Sequence, residues 1–128
     1  MRLLSFLFNG QVRAGVIKGD GIIDLSKHDV GRSVKHLLQR GALDEVAELR
    51  EKLAADVSLD AVRFLPPVLK PNKVLCIGVN YKKHVLEMGR ELPEHPWVFV
   101  RFADSFVGHD ADMIRPAVSA NYDCLLYT

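Results

Sequence analysis

His84 and Glu87 stand three residues apart in the stretch Asn80-Tyr81-Lys82-Lys83-His84-Val85-Leu86-Glu87-Met88-Gly89. Side chains at i and i+3 share a helix face, so on a helix this imidazole and this carboxylate can meet. A carboxylate beside an imidazole fixes its tautomer and raises its basicity, which makes the pair a candidate general base near neutral pH. The alternative reading is a plain surface His–Glu pair, which is common and stabilises little. Three further side chains are candidates. Tyr81 could stack on or hydrogen-bond a ligand, or simply pack. Ser105 and His109 lie in a loop-like segment where a substrate contact is feasible, and nothing in the spacing makes Ser105 an activated nucleophile.

These residues need elements to position them. The apolar run Val74-Leu75-Cys76-Ile77 reads as a buried strand over Lys73–Ile77 that ends in Gly78. Asn80 is expected to cap a helix over Tyr81–Met88, with Gly89 ending it. Pro93 and Pro96 then force an extended path into the strand Trp97-Val98-Phe99-Val100.

Upstream, Asn9-Gly10 between two apolar runs is a hairpin signal, because both residues tolerate positive φ. Leu3–Phe8 and Gln11–Ile17 are its predicted strands, and Ile22–Leu25 adds a third. A helix is predicted over Ser33–Arg40 with Gly41 just past its end. A second carries Leu43, Val46, Leu49 and Leu53 at helical spacing and runs to about Ala55. The order of elements gives an α+β fold. Residues 1–65 form a small N-terminal β-meander with helices, residues 66–72 a proline-rich linker containing Pro66, Pro67 and Pro71, and residues 73–128 the start of a second unit.

The totals bound the function. A chain of 128 residues is about one domain's worth, and 48% hydrophobic with 26% charged residues is ordinary for a globular protein. Seventeen basic against sixteen acidic residues leave a net charge of +1, without the basic block of a nucleic-acid binder. No stretch approaches the roughly 18–20 apolar residues of a membrane span. The apolar N-terminal run is cut by Asn9-Gly10 before any signal-peptide cleavage pattern, so a cytoplasmic location is expected. Cys76 and Cys124 show no metal-binding Cys-x-x-Cys spacing, and Cys76 is expected as a buried reduced thiol. The single Gly78 after its strand is not a dinucleotide fingerprint, which needs three glycines.

The chain from Leu65 to Asp123 resembles the fumarylacetoacetate hydrolase family. The resemblance rests on Leu65-Pro66-Pro67, Lys73-Val74-Leu75-Cys76-Ile77-Gly78-Val79-Asn80-Tyr81, His84 and Glu87-Met88-Gly89-Arg90-Glu91-Leu92-Pro93. It continues through Pro96, Val98-Phe99-Val100-Arg101-Phe102, Asp104-Ser105, Val107-Gly108-His109 and Arg115-Pro116 to Asn121-Tyr122-Asp123. The resemblance implies a catalytic domain built as a mixed β-roll, usually dimeric, that hydrolyses, decarboxylates or isomerises small dicarbonyl acids, often in aromatic catabolism. It implies a divalent cation, Mg²⁺ or else Mn²⁺ or Ca²⁺, held by a Glu-x-Glu pair and a later aspartate. His84 would then be the base, Glu87 its orienting partner, and Arg101 a cation for the substrate carboxylate, which a guanidinium grips bidentately. A structural salt bridge is the other reading of Arg101.

The pattern breaks after Asp123. The two ligand glutamates would fall near Leu125 and Tyr127, neither of which offers a carboxylate to a hard cation. The expectation is therefore an incomplete catalytic domain without its metal ligands, inactive as written. The abruptness of the break resembles a frameshift or early stop more than an evolved short form. A genuine non-catalytic short form, serving as an interaction module or a decayed paralogue, is the alternative.

Overall fold

The computed structural model describes residues 1–119. Two compact units emerge: Met1–Pro71 together with Phe106–Asp112, and Asn72–Ser105 together with the described residues from Met113.

The first unit is a five-stranded antiparallel sheet. Its strands are β1 (Leu3–Phe8), β2 (Gln11–Lys18), β3 (Gly21–Asp24), β4 (Val57–Ser58) and β5 (Arg63–Leu65), in the order β4-β3-β2-β1-β5. Asn9 and Gly10, at φ 49° and 74°, form the tight turn that pairs β1 with β2 from Leu3↔Val16 to Phe8↔Gln11. Alternation along the strands builds a core on each face of the sheet. Ala14, Val16, Ile23 and Leu25 face one side, where Val34, Leu37 and Val46 cover them. Leu4, Phe6, Ile22 and Val57 form the other cluster, edged by Phe8, Leu59, Val62 and Phe64.

The helices that cover the first face are α1 (Val34–Arg40) and α2 (Leu43–Lys52). Ser33 caps α1, its hydroxyl accepting from the His36 N–H at 3.1 Å, and Gly41 closes it at φ 68°. α2 stops at Lys52, three residues before Ala55, because Leu53 turns extended to send the chain back toward β4. The third strand stops at Asp24, and Leu25 opens a 3₁₀ turn (Leu25–Lys27). The buried Asp24 carboxylate accepts from Arg13 and from the backbone and hydroxyl of Ser26. The proline-rich stretch is anchored as far as Pro71: Ser5 donates to the Pro67 carbonyl at 2.8 Å, Lys35 to the Lys70 carbonyl, and Val68 packs against the core.

The second unit holds β6 (Leu75–Gly78), α3 (Lys82–Glu87), β7 (Trp97–Val100) and a 3₁₀ turn over Ala103–Ser105. β6 and β7 are antiparallel, with Leu75 opposite Val100 and Ile77 opposite Val98. Directly paired residues share a face, so these four make one apolar surface. The expected burial of this strand is not what the described residues show: Leu75 is 61% and Val100 68% exposed. A two-stranded ribbon has nothing among the described residues to lay over that face. Cys76 is likewise half-buried and unpaired rather than enclosed. The fold class is α+β, while the mixed β-roll is represented among the described residues by this one hairpin. Cys124, Leu125 and Tyr127 lie outside the described residues.

Candidate active site

β6 ends at Gly78, and the chain leaves it through Val79 at φ 54°. A β-branched residue in that region carries about 1–2 kcal/mol of backbone strain. The turn lets the chain reverse directly into α3. Tyr81, not Asn80, occupies the capping position, and it contributes its carbonyl to the Val85 N–H without any side-chain cap bond. The helix therefore begins at Lys82. It ends at Glu87, where Met88 bonds back to the His84 carbonyl and Gly89 takes φ 65°.

Val85 is the buried anchor of α3. His84 and Glu87 are both exposed, on the face that the i, i+3 spacing gives them. The two are not hydrogen-bonded to each other. The Glu87 carboxylate instead lies 3.9 Å from the Lys83 ammonium, one helical turn back. An exposed i, i+4 pair of this kind stabilises by only a few tenths of a kcal/mol, so it holds Glu87 only weakly.

Of the other candidates, Arg101, Ser105 and His109 have structural partners. The Arg101 guanidinium carbon stands 5.6 Å from the centre of the Phe99 ring, a cation–π contact, and the Arg101 backbone N–H extends the strand pairing by donating to the Val74 carbonyl. Ser105 turns its hydroxyl onto the Phe102 carbonyl at 2.7 Å. Tyr81 is 43% exposed, open to a ligand and not part of a core. His109 falls in the first unit, edge-on to Phe64 and 3.4 Å from the Asp110 carboxylate. Its loop approaches so closely that a Cβ on Gly108 would lie 2.0 Å from the Phe64 carbonyl oxygen.

A cleft of about 450 Å³ opens at the end of the hairpin, lined by Gly78, Val79, Asn80, Glu94 and His95 between Pro93 and Pro96. Glu94 and His95 escaped the sequence reading, which treated the Pro93–Pro96 stretch only as a path into β7. The available signal was two titratable residues held between two prolines. Among the described residues, no three His, Cys, Asp or Glu side chains converge on a point that could hold a metal ion.

Comparison with known proteins identifies the second unit. Residues 73–124 match the sequence profile described as fumarylacetoacetate (FAA) hydrolase C-terminal. The chain belongs to the fumarylacetoacetate hydrolase family. It is similar to the mitochondrial oxaloacetate tautomerase Fahd2a of Rattus norvegicus, 34% identical over 110 residues that are 82% of this chain and 35% of the relative. A solved Mycobacterium smegmatis structure described as HpcE superposes with a TM-score of 0.68 at 28% identity, over 88% of this chain and 40% of that one. The fumarylacetoacetate hydrolase of the psychrophile Exiguobacterium antarcticum gives 0.53 at 27% identity, over 82% and 36%. The chain thus spans about a third of the length of the curated relatives it matches. The family's members include hydrolases and tautomerases by name. No helix among the described residues is long and apolar enough to cross a membrane.

Proposed function

We propose that this chain supplies the His–Glu helix of an enzyme that hydrolyses, decarboxylates or tautomerises a small dicarbonyl acid, with His84 as the base and Glu87 as the carboxylate that orients it. The observation that supports this is α3 itself. It follows β6 directly within the family-matched segment and presents both side chains on an open face. In hydrolysis the imidazole would take a proton from the attacking water. In tautomerisation it would take one from the carbon between the carbonyls and return it elsewhere. Glu87 would stabilise the imidazolium in either case. Arg101 would pair with the substrate carboxylate, and Tyr81 and Ser105 would contact the remainder of the substrate.

The family's divalent cation would polarise a dicarbonyl as a Lewis acid, but the donors described in this chain do not fit it. Among the described residues no trio of carboxylates, imidazoles or thiols converges, and the positions that would supply the paired glutamates are near Leu125 and Tyr127. In a full-length enzyme whose metal ligands come from the rest of its length, Mg²⁺ dependence, a role in aromatic catabolism, homodimerisation and a cytoplasmic location are part of this proposal; the tautomerase relatives are mitochondrial by name.

The test uses residues 1–123 of this chain continued by the rat relative's sequence from the equivalent position onward, so that the relative's residues replace Leu125 and Tyr127. His84→Ala should lower turnover of a dicarbonyl acid by about 10²–10⁴-fold and leave Mg²⁺ affinity unchanged. An equal loss of metal affinity would show that His84 belongs to the metal site and is not the base.

A second reading, a non-catalytic interaction module, is favoured by one observation: both core clusters of buried residues belong to the first unit. A monodisperse 128-residue chain that binds no dicarbonyl acid would support it.

A further inference from the structure

The first unit carries a cavity of about 540 Å³ between the 3₁₀ turn after β3 and the helix α1. That volume lies within the range of small-molecule sites, roughly 300–1,000 Å³. Its charged lining is lopsided: Lys27, Arg32, Arg40, His28 and His36 against the single carboxylate of Asp29. The whole chain is balanced at +1, so the concentration is local.

Two of the cations are already committed. Lys27 pairs with Asp56, and Arg40 donates to the carbonyls of Asp29 (3.2 Å) and Val30 (2.6 Å) and lies 3.7 Å from Glu45. Neither Asp56 nor Glu45 lines the cavity. These bonds hold the wall in place, and so does the packing of Gly31, where a Cβ would come within 2.8 Å of Leu37. The cavity wall is therefore preformed, which removes part of the ordering cost of binding.

The uncommitted donors point to the ligand. Among the described residues, no hydrogen bond or ion pair engages the Arg32 guanidinium, and its five N–H groups form a planar fork suited to a carboxylate or phosphate. The His36 Nδ1 accepts from the Arg32 backbone N–H at 3.4 Å. In the neutral ring that leaves Nε2 as the N–H donor. His28 is half-buried in the same wall.

We propose that this cavity binds a compact dianion, a phosphate or a dicarboxylate, through Arg32, His28 and His36, at a site separate from the His84 helix and in the other unit. Lys27 and Arg40 supply a fixed positive field, and Asp29 restricts the site to ligands that leave its edge free.

The experiment titrates inorganic phosphate, and separately malonate, into the full 128-residue chain joined to a soluble carrier protein, at low ionic strength. It follows the side-chain NMR signals of His28, His36 and Arg32 Nε. Saturable shifts confined to those groups are expected, with affinity falling about tenfold or more in Arg32→Glu, where a charge-assisted pair becomes a like-charge contact. Lys73→Ala, outside the cavity, should bind as the parent does. The anion that binds more tightly identifies the ligand class. Shifts that never saturate, binding unchanged in Arg32→Glu, or an equal loss in Lys73→Ala would each overturn the site.

Discussion

Met1–Pro71 and Asn72–Ser105 are similar in their local rules and opposite in what covers them. Each has an antiparallel strand pair and a short helix with one or two buried anchors, the helix following the pair in the first unit and joining its strands in the second. In the first unit, β1 and β2 gain a partner on either side, and the sheet is packed on both faces, so Phe6 and Ile22 lose all their accessible surface. In the second, β6 and β7 have only each other among the described residues, and Ile77 and Val98 remain open. The lesson is that strand-forming residues dictate a strand but not its burial. Isolated two-stranded hairpins are marginal in water, and an exposed apolar edge invites pairing with another chain.

The largest expected contrast comes from truncating an apolar residue in each. Phe6→Ala should cost about 3–5 kcal/mol, because it leaves a cavity in a closed core. Val98→Ala should stay within about 0.5 kcal/mol, as exposed substitutions do. Chemical denaturation of both variants checks this, and equal costs would mean that the hairpin is as well covered as the sheet.

A second contrast concerns buried charge. Asp24→Ala strands the Arg13 guanidinium and should destabilise the first unit by about 3 kcal/mol. Acid should reach the same bond. Burial alone raises the Asp24 pKa, but hydrogen bonds from Ser26 and Arg13 outweigh it and hold the group below 3.8. Asp56 is lowered in the same way, with burial opposed by Lys27 and the Asp24 N–H. A folded pKa below the unfolded one means that the stabilisation is complete above pH 3.8 and is lost as pH falls through the folded value. The melting temperature of the first unit should therefore drop on acidification below about pH 4, and Asp24→Asn should flatten that slope. An unchanged slope would remove Asp24 as its source.

The smallest contrast is at the caps. Ser33→Ala removes a side-chain bond to α1 and should cost about 1 kcal/mol. Tyr81→Ala removes no such bond at α3 and should change stability by at most a few tenths of a kcal/mol. A matching cost at Tyr81 would show that its ring packs, and would weaken its place in a binding site.

Much of the fold was legible because its signals are local. Asn9-Gly10 marks a turn whose backbone few other pairs adopt, and Trp97–Val100 is an unbroken run of β-favouring side chains at the length observed. Residues 57–58 and 63–65 show no legible element in the sequence, because two or three residues carry no period. They are strands only because β3 and β1 offer unpaired edges. The candidate site divides the same way. A helix bearing His84 follows from composition and spacing, but its cap shifted from Asn80 to Tyr81, because Asn80 belongs to the reversal set by Val79.

The sequence by itself determined the order of turns, strands and helices, the His84–Glu87 spacing and the family. Each depends on neighbours within a few positions or on a linear pattern. Tertiary structure alone decided that two short segments complete the first sheet, that Glu94 and His95 line a cleft, and that five basic side chains share one cavity. These depend on which distant backbone offers an open hydrogen-bonding edge and on which side chains that pairing brings within reach. No window of sequence contains that information, because the partners are set by closing the chain on itself.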